Sequence, residues 1–256
     1  MSELEVQPIP EPVAAPAGLS QWQRVAYTFS APSKTFEDIK RGNKSWWLPY
    51  IILIAVGYIF FAAVTVQVSW PQVAENVIHM DAKSADKMAQ MPPDQRATAM
   101  KFTAYAMEGG FAASPIIVAI IFLIGTLVLW GTINFVFGGK ATFSGVFVVF
   151  VYGSLPGIIK SLLGTVVLFA GTAPESFNLN NFAPTNIGAF LSPSETNAAL
   201  YKLATALDFT TIWSLVVTAI GLAIVAGVKR SSGYIAVFGW WALIVLLTVG
   251  WAAAFS

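Results

Sequence analysis

Apolar residues run in five long blocks along this chain, at about residues 46–69, 110–137, 143–170, 207–228 and 234–255. At about 1.5 Å per helical residue each block is long enough to cross a hydrocarbon core of about 30 Å. Asp, Glu, Lys and Arg are absent from 45–74, 109–139, 141–159, 209–228 and 231–256, and Lys160 and Asp208 are the two charges nearest to block interiors. The pattern predicts an all-α, polytopic membrane protein with five transmembrane helices. Trp46-Trp47 and Trp70 frame the first block. As a helix it separates them by about 36 Å, the spacing of an aromatic belt at the two membrane interfaces.

Ahead of the blocks, residues 1–18 are rich in Pro and Ala and carry Glu3, Glu5 and Glu11 with no apolar run. They read as a disordered cytoplasmic tail and not as a signal peptide. Residues 19–45 read as an interfacial amphipathic segment. Ser20 is suited to cap a short helix that gathers Leu19, Trp22, Ala26 and Phe29 on one face and turns Gln23 and Arg24 away from it. A second short element follows Ala31-Pro32, with Phe36 and Ile39 apolar and Lys34, Lys40, Arg41 and Lys44 basic. Such a segment lies on a membrane surface, either as a simple anchor for the first span or as an arm that binds a partner or senses lipid. The rest, 46–256, is the five-helix domain, with a helical outer loop over 69–109 in which one helix is expected from about Pro71 to Gln90 and a second, after Pro92-Pro93, from about Asp94 to Glu108.

The loops set the orientation. Only Gly138 to Ala141 joins blocks two and three, and only Val228 to Gly233 joins four and five. With the N-terminus inside, the inner side holds Arg24, Lys34, Lys40, Arg41, Lys44, Lys140, Lys229 and Arg230. Basic residues outside are spread over two long loops and offset by acids, so the positive-inside rule places the N-terminus in the cytoplasm and the C-terminus outside.

Two regions invite chemistry. The outer loop carries Met80, Met88, Met91, Met100 and Met107 beside His79, the sole histidine. Thioethers and an imidazole suit Cu(I), although methionines at helical spacing also serve as packing between two loop helices. In the third block Gly153, Pro156 and Gly157 precede Lys160. Pro156 removes a helix donor and predicts a kink, and Gly153 and Gly157, continued by Ser161 and Gly164, form a small face for close helix packing. Counting from Phe143 places Lys160 about 25 Å along its span, and counting from Leu203 places Asp208 about 7 Å deep, so both reach the outer third of the bilayer. There they pair, or Lys160 snorkels outward and Asp208 faces water.

With 56% hydrophobic and 11% charged residues, a single soluble core could not hide the apolar excess. The net charge of +1, without a basic run, gives no reason to expect nucleic acid. Having no cysteine, the chain has no thiol catalyst, disulfide or Cys-ligated metal. No Gly-x-Ser-x-Gly, His-Glu-x-x-His or phosphate-binding loop occurs, so neither a catalytic residue nor a cofactor is expected.

The run Phe29-Ser30-Ala31-Pro32-Ser33-Lys34-Thr35-Phe36-Glu37-Asp38-Ile39, followed by Ser45-Trp46-Trp47-Leu48-Pro49, resembles the opening of bacterial members of the Yip-one family, which is related to eukaryotic Rab-interacting membrane proteins. Met91 to Arg96 and Tyr152-Gly153-Ser154-Leu155-Pro156 are similar to it as well, so the resemblance covers most of the chain from Phe29 onward. It implies a five-helix membrane domain in a bacterial cytoplasmic (inner) membrane, a cytoplasmic N-terminus and no catalytic residues. Eukaryotic members are linked to vesicle traffic, a role that needs Rab proteins and does not transfer by resemblance alone. The expected function is a non-enzymatic scaffold or accessory subunit that binds lipids and other membrane proteins, transporter components among them. The alternative is a small transporter or channel whose polar route uses the kinked third helix with Lys160 and Asp208.

Overall fold

Five helices of the computed structural model, which describes residues 18–255, are long and apolar enough to cross a membrane: Trp47–Gln67, Ser114–Val136, Phe143–Phe169, Phe209–Ala226 and Arg230–Ala254. The protein is therefore an all-α, multi-pass integral membrane protein, and no strand occurs among the described residues. Apart from Gly18, the tail expected over 1–18 lies outside them. In chain order the helices are α1 (Gln21–Ser30), α2 (Pro32–Lys40), α3 (Trp47–Gln67), α4 (Trp70–His79), α5 (Ala82–Ala89), α6 (Pro93–Ala112), α7 (Ser114–Gly131), α8 (Phe143–Gly153), α9 (Ile158–Phe169), α10 (Ala198–Ala206), α11 (Phe209–Ala226) and α12 (Arg230–Phe255).

Tight turns join α7 to α8 and α11 to α12. A π-helical turn, Thr132–Val136, closes α7, and the side chain of Asn134 both accepts from the Ala141 N–H (2.9 Å) and donates to its carbonyl (3.0 Å). An amide side chain thus stands in for a strand of backbone and satisfies groups that the helix end leaves open. The α11–α12 turn pivots on Gly227 at φ +70°, a left-handed conformation that glycine enters without a Cβ penalty. The Lys140 N–H donates to the Ala226 carbonyl at 3.0 Å and ties the two turns together.

The third span is broken where Pro156 removes a donor. After α8 come a 3-10 turn at Leu155–Gly157 and then α9. Both the backbone N–H and the hydroxyl of Ser154 donate to the Phe150 carbonyl, at 3.1 and 2.8 Å, which closes the first segment.

Three placements differ from the expectations of the sequence. The outer-loop helix expected over 71–90 is split at Met80-Asp81 into α4 and α5. The next helix, expected to stop near Glu108, runs on as α6 to Ala112 and almost directly into α7. Tyr58 donates to the Ala112 carbonyl (2.7 Å) at the end of α6 and Tyr50 to that of Pro115 in α7, so the junction of α6 and α7 runs beside α3.

The third difference concerns residues 19–45. They form a helical hairpin packed against α8 and α11, with part of its apolar surface turned into the protein. Phe36 and Ile39 are wholly buried, and the Phe36 ring fills the space over Gly221, where an added Cβ would lie 2.7 Å from it. Arg24, which the pattern turned away from the apolar face, is 1% exposed, while Trp22 is 67% exposed.

Candidate functional site

A polar cluster forms where three chain segments meet. Lys160, in the first turn of α9, places its ammonium 3.0 Å from the Asp208 carboxylate. Asp208 does not lie inside a helix that starts near Leu203. The chain breaks after α10, and Asp208 is the N-cap of α11, standing before the span's first residue. Its Oδ1 accepts from the Thr210 and Thr211 N–H groups, both at 3.0 Å, and from the Thr210 hydroxyl at 2.6 Å. Its Oδ2 accepts from the Thr185 hydroxyl (2.5 Å) and more distantly from Asn186 (3.4 Å), which hold the loop between α9 and α10 down on the span. Burial works against ionisation of Asp208, but the bonds from Thr185, Thr210, Lys160 and Thr211 hold its carboxyl well below the usual carboxylate range. Lys160 also lies over the Phe182 ring at 5.4 Å, and its side chain is 23% exposed.

The small face makes its close approaches at Gly153 and Gly164. At Gly153 an added Cβ would stand 2.1 Å from the Thr218 hydroxyl of α11, and at Gly164 one would stand 2.4 Å from the Phe182 ring. Gly157, at the end of the 3-10 turn, has nothing within 4 Å of that point, so α8 and α11 meet at Gly153 and not at Gly157. Pro156 is buried within the break.

Arg24 heads a second buried polar cluster that sequence reasoning missed. Its Nε lies 3.7 Å from Asp38, its Nη1 donates to the Asn43 carbonyl (2.8 Å), and its guanidinium stacks over Tyr152 at 5.5 Å. Asp38 also accepts from the Leu19 N–H (3.1 Å) and the Asn43 amide (3.0 Å). Thr28 and Thr35 both donate to the Arg24 carbonyl, which staples α1 to α2. The spacing of Arg24, Asp38 and Asn43 has no local period, so no pattern along the chain announces the cluster.

An open cavity of about 280 Å³ lies beside the loop between α9 and α10, bounded in part by Met80, Asn178, Asn181, Phe182 and Tyr201. The Tyr201 hydroxyl accepts from both asparagine amides, at 3.1 and 3.3 Å. His79 is exposed beside Glu75 at 3.9 Å. Met88 and Met91 use their backbone carbonyls to hold the Arg96 guanidinium, at 2.9 and 3.3 Å. Among the described residues no group of three His, Cys, Asp or Glu is arranged to hold a metal ion.

A family model described as Yip1 domain matches residues 26–252. No curated protein and no solved structure matches the chain.

Proposed function

Because the chain belongs to the Yip1 domain family, we propose that it works as a non-enzymatic scaffold or accessory subunit that binds lipids and other membrane proteins, transporter components among them. It sits in a bacterial cytoplasmic membrane with its N-terminus inside and its C-terminus outside. The observation that carries this reading is the use to which Lys160 is put. A charge inside a span ordinarily marks a substrate or proton route. Here the ammonium is 3.0 Å from a carboxylate that five further hydrogen bonds engage, two from backbone N–H groups of α11 and one from the loop residue Thr185. A carboxylate committed in that way caps a helix and pins a loop, which is structural work. Purified protein in liposomes tests the reading. A scaffold moves neither protons nor small solutes by itself, whereas flux that disappears on Lys160→Ala would overturn it in favour of a transporter. A periplasmic phosphatase fused after Ser256 is expected to be active and one fused at Lys140 inactive, and the reverse pattern would invert the orientation.

A further inference from the structure

At the inner end of the bundle, three chain segments bring cations to one place. Lys140 and Lys229 belong to the two tight turns joined by the Lys140 N–H to Ala226 hydrogen bond of 3.0 Å. Lys40, at the end of α2, brings its ammonium within 4.0 Å of where a Cβ on Gly227 would be. All three side chains are exposed, and none of them forms an ion pair among the described residues. Arg230, whose guanidinium reaches the Ser33 hydroxyl at 3.3 Å, and Lys44, which donates to Thr142 at 3.1 Å, flank them. The acid that would have balanced this group is withdrawn from it: Asp38 is buried and engaged by Arg24, which leaves Glu37 as the exposed acid of α2. α12 begins at Arg230, so the positive end of its dipole opens on the same spot.

We infer that Lys40, Lys140 and Lys229, gathered around the Gly227 turn, hold the headgroup of an anionic phospholipid. The occupant follows from position as well as charge. Both turns link membrane spans, and Trp46 and Trp47, 42% and 52% exposed at the start of α3, mark the interfacial layer beside them. A phosphodiester in that layer meets three ammonium groups without leaving its leaflet, whereas a free anion gains no help from its surroundings. Clustered basic side chains at the inner ends of spans attract anionic headgroups, each worth about fivefold in affinity. This inference rests on the lipid-binding part of the proposed function.

The test uses the full chain in a neutral detergent, titrated with phosphatidylglycerol, phosphatidylcholine or inorganic phosphate, with bound lipid read by native mass spectrometry. Phosphatidylglycerol is expected to bind the unaltered protein well above phosphatidylcholine, and inorganic phosphate is expected not to displace it. The combined substitution Lys40→Gln, Lys140→Gln, Lys229→Gln is expected to weaken phosphatidylglycerol by about a hundredfold, three factors of about five. Phosphatidylcholine should be untouched, and the matching Lys→Arg variant should retain binding. Equal binding of the two lipids overturns the inference. So does a loss under threefold in the Gln variant, displacement by phosphate, or a poly-glutamate peptide that binds where phosphatidylglycerol does not. Liposome flux decides the scaffold reading separately, since a protein that carries solute can still hold this lipid and an inert one can lack it.

Discussion

Replacing Gly153 and Gly157 by alanine, one at a time, separates a glycine that a neighbour requires from one that it does not. At Gly153 the new methyl would sit 2.1 Å from the Thr218 hydroxyl and 3.1 Å from the Thr218 backbone, so side-chain rotation alone cannot clear it. The α8–α11 interface must open, at an overpacking cost of about 1–3 kcal/mol. Better helix propensity returns about 0.5–1 kcal/mol of that. Gly157 has φ −61° and ψ −22°, which alanine adopts freely, and an added Cβ finds nothing within 4 Å. There the substitution is expected to stabilise by about 0.4–1 kcal/mol, through the lowered entropy of the unfolded chain. The two variants should therefore shift in opposite directions, with thermal midpoints in detergent about 5 °C apart at about 2–4 °C per kcal/mol. Thr218→Ala added to Gly153→Ala removes the hydroxyl but leaves the α11 backbone where it was, and should recover part of the loss. Equal shifts for the two glycines, or a larger loss at Gly157, would refute the placement of the close approach at Gly153.

The outer cluster predicts an order: Asp208→Ala should destabilise more than Lys160→Ala, by about 1 kcal/mol for the lost N-cap, and the double variant should stay close to Asp208→Ala in thermal unfolding. Because the folded carboxyl of Asp208 titrates below its ordinary value near 3.8, its stabilisation is present above that pH and is lost as pH falls beneath it. Asp208→Asn should flatten that acid limb of the stability curve, and an unchanged limb would count against the cluster. Where α2 packs on α11, Gly221→Leu should drive Phe36 from its seat and loosen the α1–α2 hairpin, which trypsin would report as faster cleavage at Lys34. Arg24→Ala leaves Asp38 buried without its charge partner and should cost about 3–5 kcal/mol. Retention of full protection in both variants would show that the hairpin is not held by these interactions.

The five spans and their tight turns were legible because length and charge exclusion need no knowledge of neighbours. Asp208 was misplaced in depth for want of a local reading: Asp followed by Phe209-Thr210-Thr211 is an N-cap signal, and a continuous apolar count from Leu203 overrode it. The burial of Arg24 escaped the pattern for a different reason. Arg24 is buried because Asp38, Asn43 and Tyr152 converge on it from 14 to 128 positions away, and amphipathicity along one helix carries no trace of such partners. The glycines of the third span were legible as a group. Which of them touches α11 depends on where the 3-10 turn rotates the helix, a consequence of Pro156 that its presence alone does not locate.

The seat of the N-terminal hairpin also sets an order of events during synthesis. Phe36 leaves the ribosome about 185 residues before Gly221, the residue that its ring covers, and Arg24 precedes Tyr152 by about 128. At roughly 5–20 residues per second, the hairpin waits about 10–40 s with an apolar face and a charge pair unsheltered. Docking of the first helices therefore completes only after the fourth span, which carries Gly221, has been made. A nascent chain arrested before Gly221 would display Phe36 and Ile39 unseated, and a chaperone or the membrane itself must hold them until their place exists.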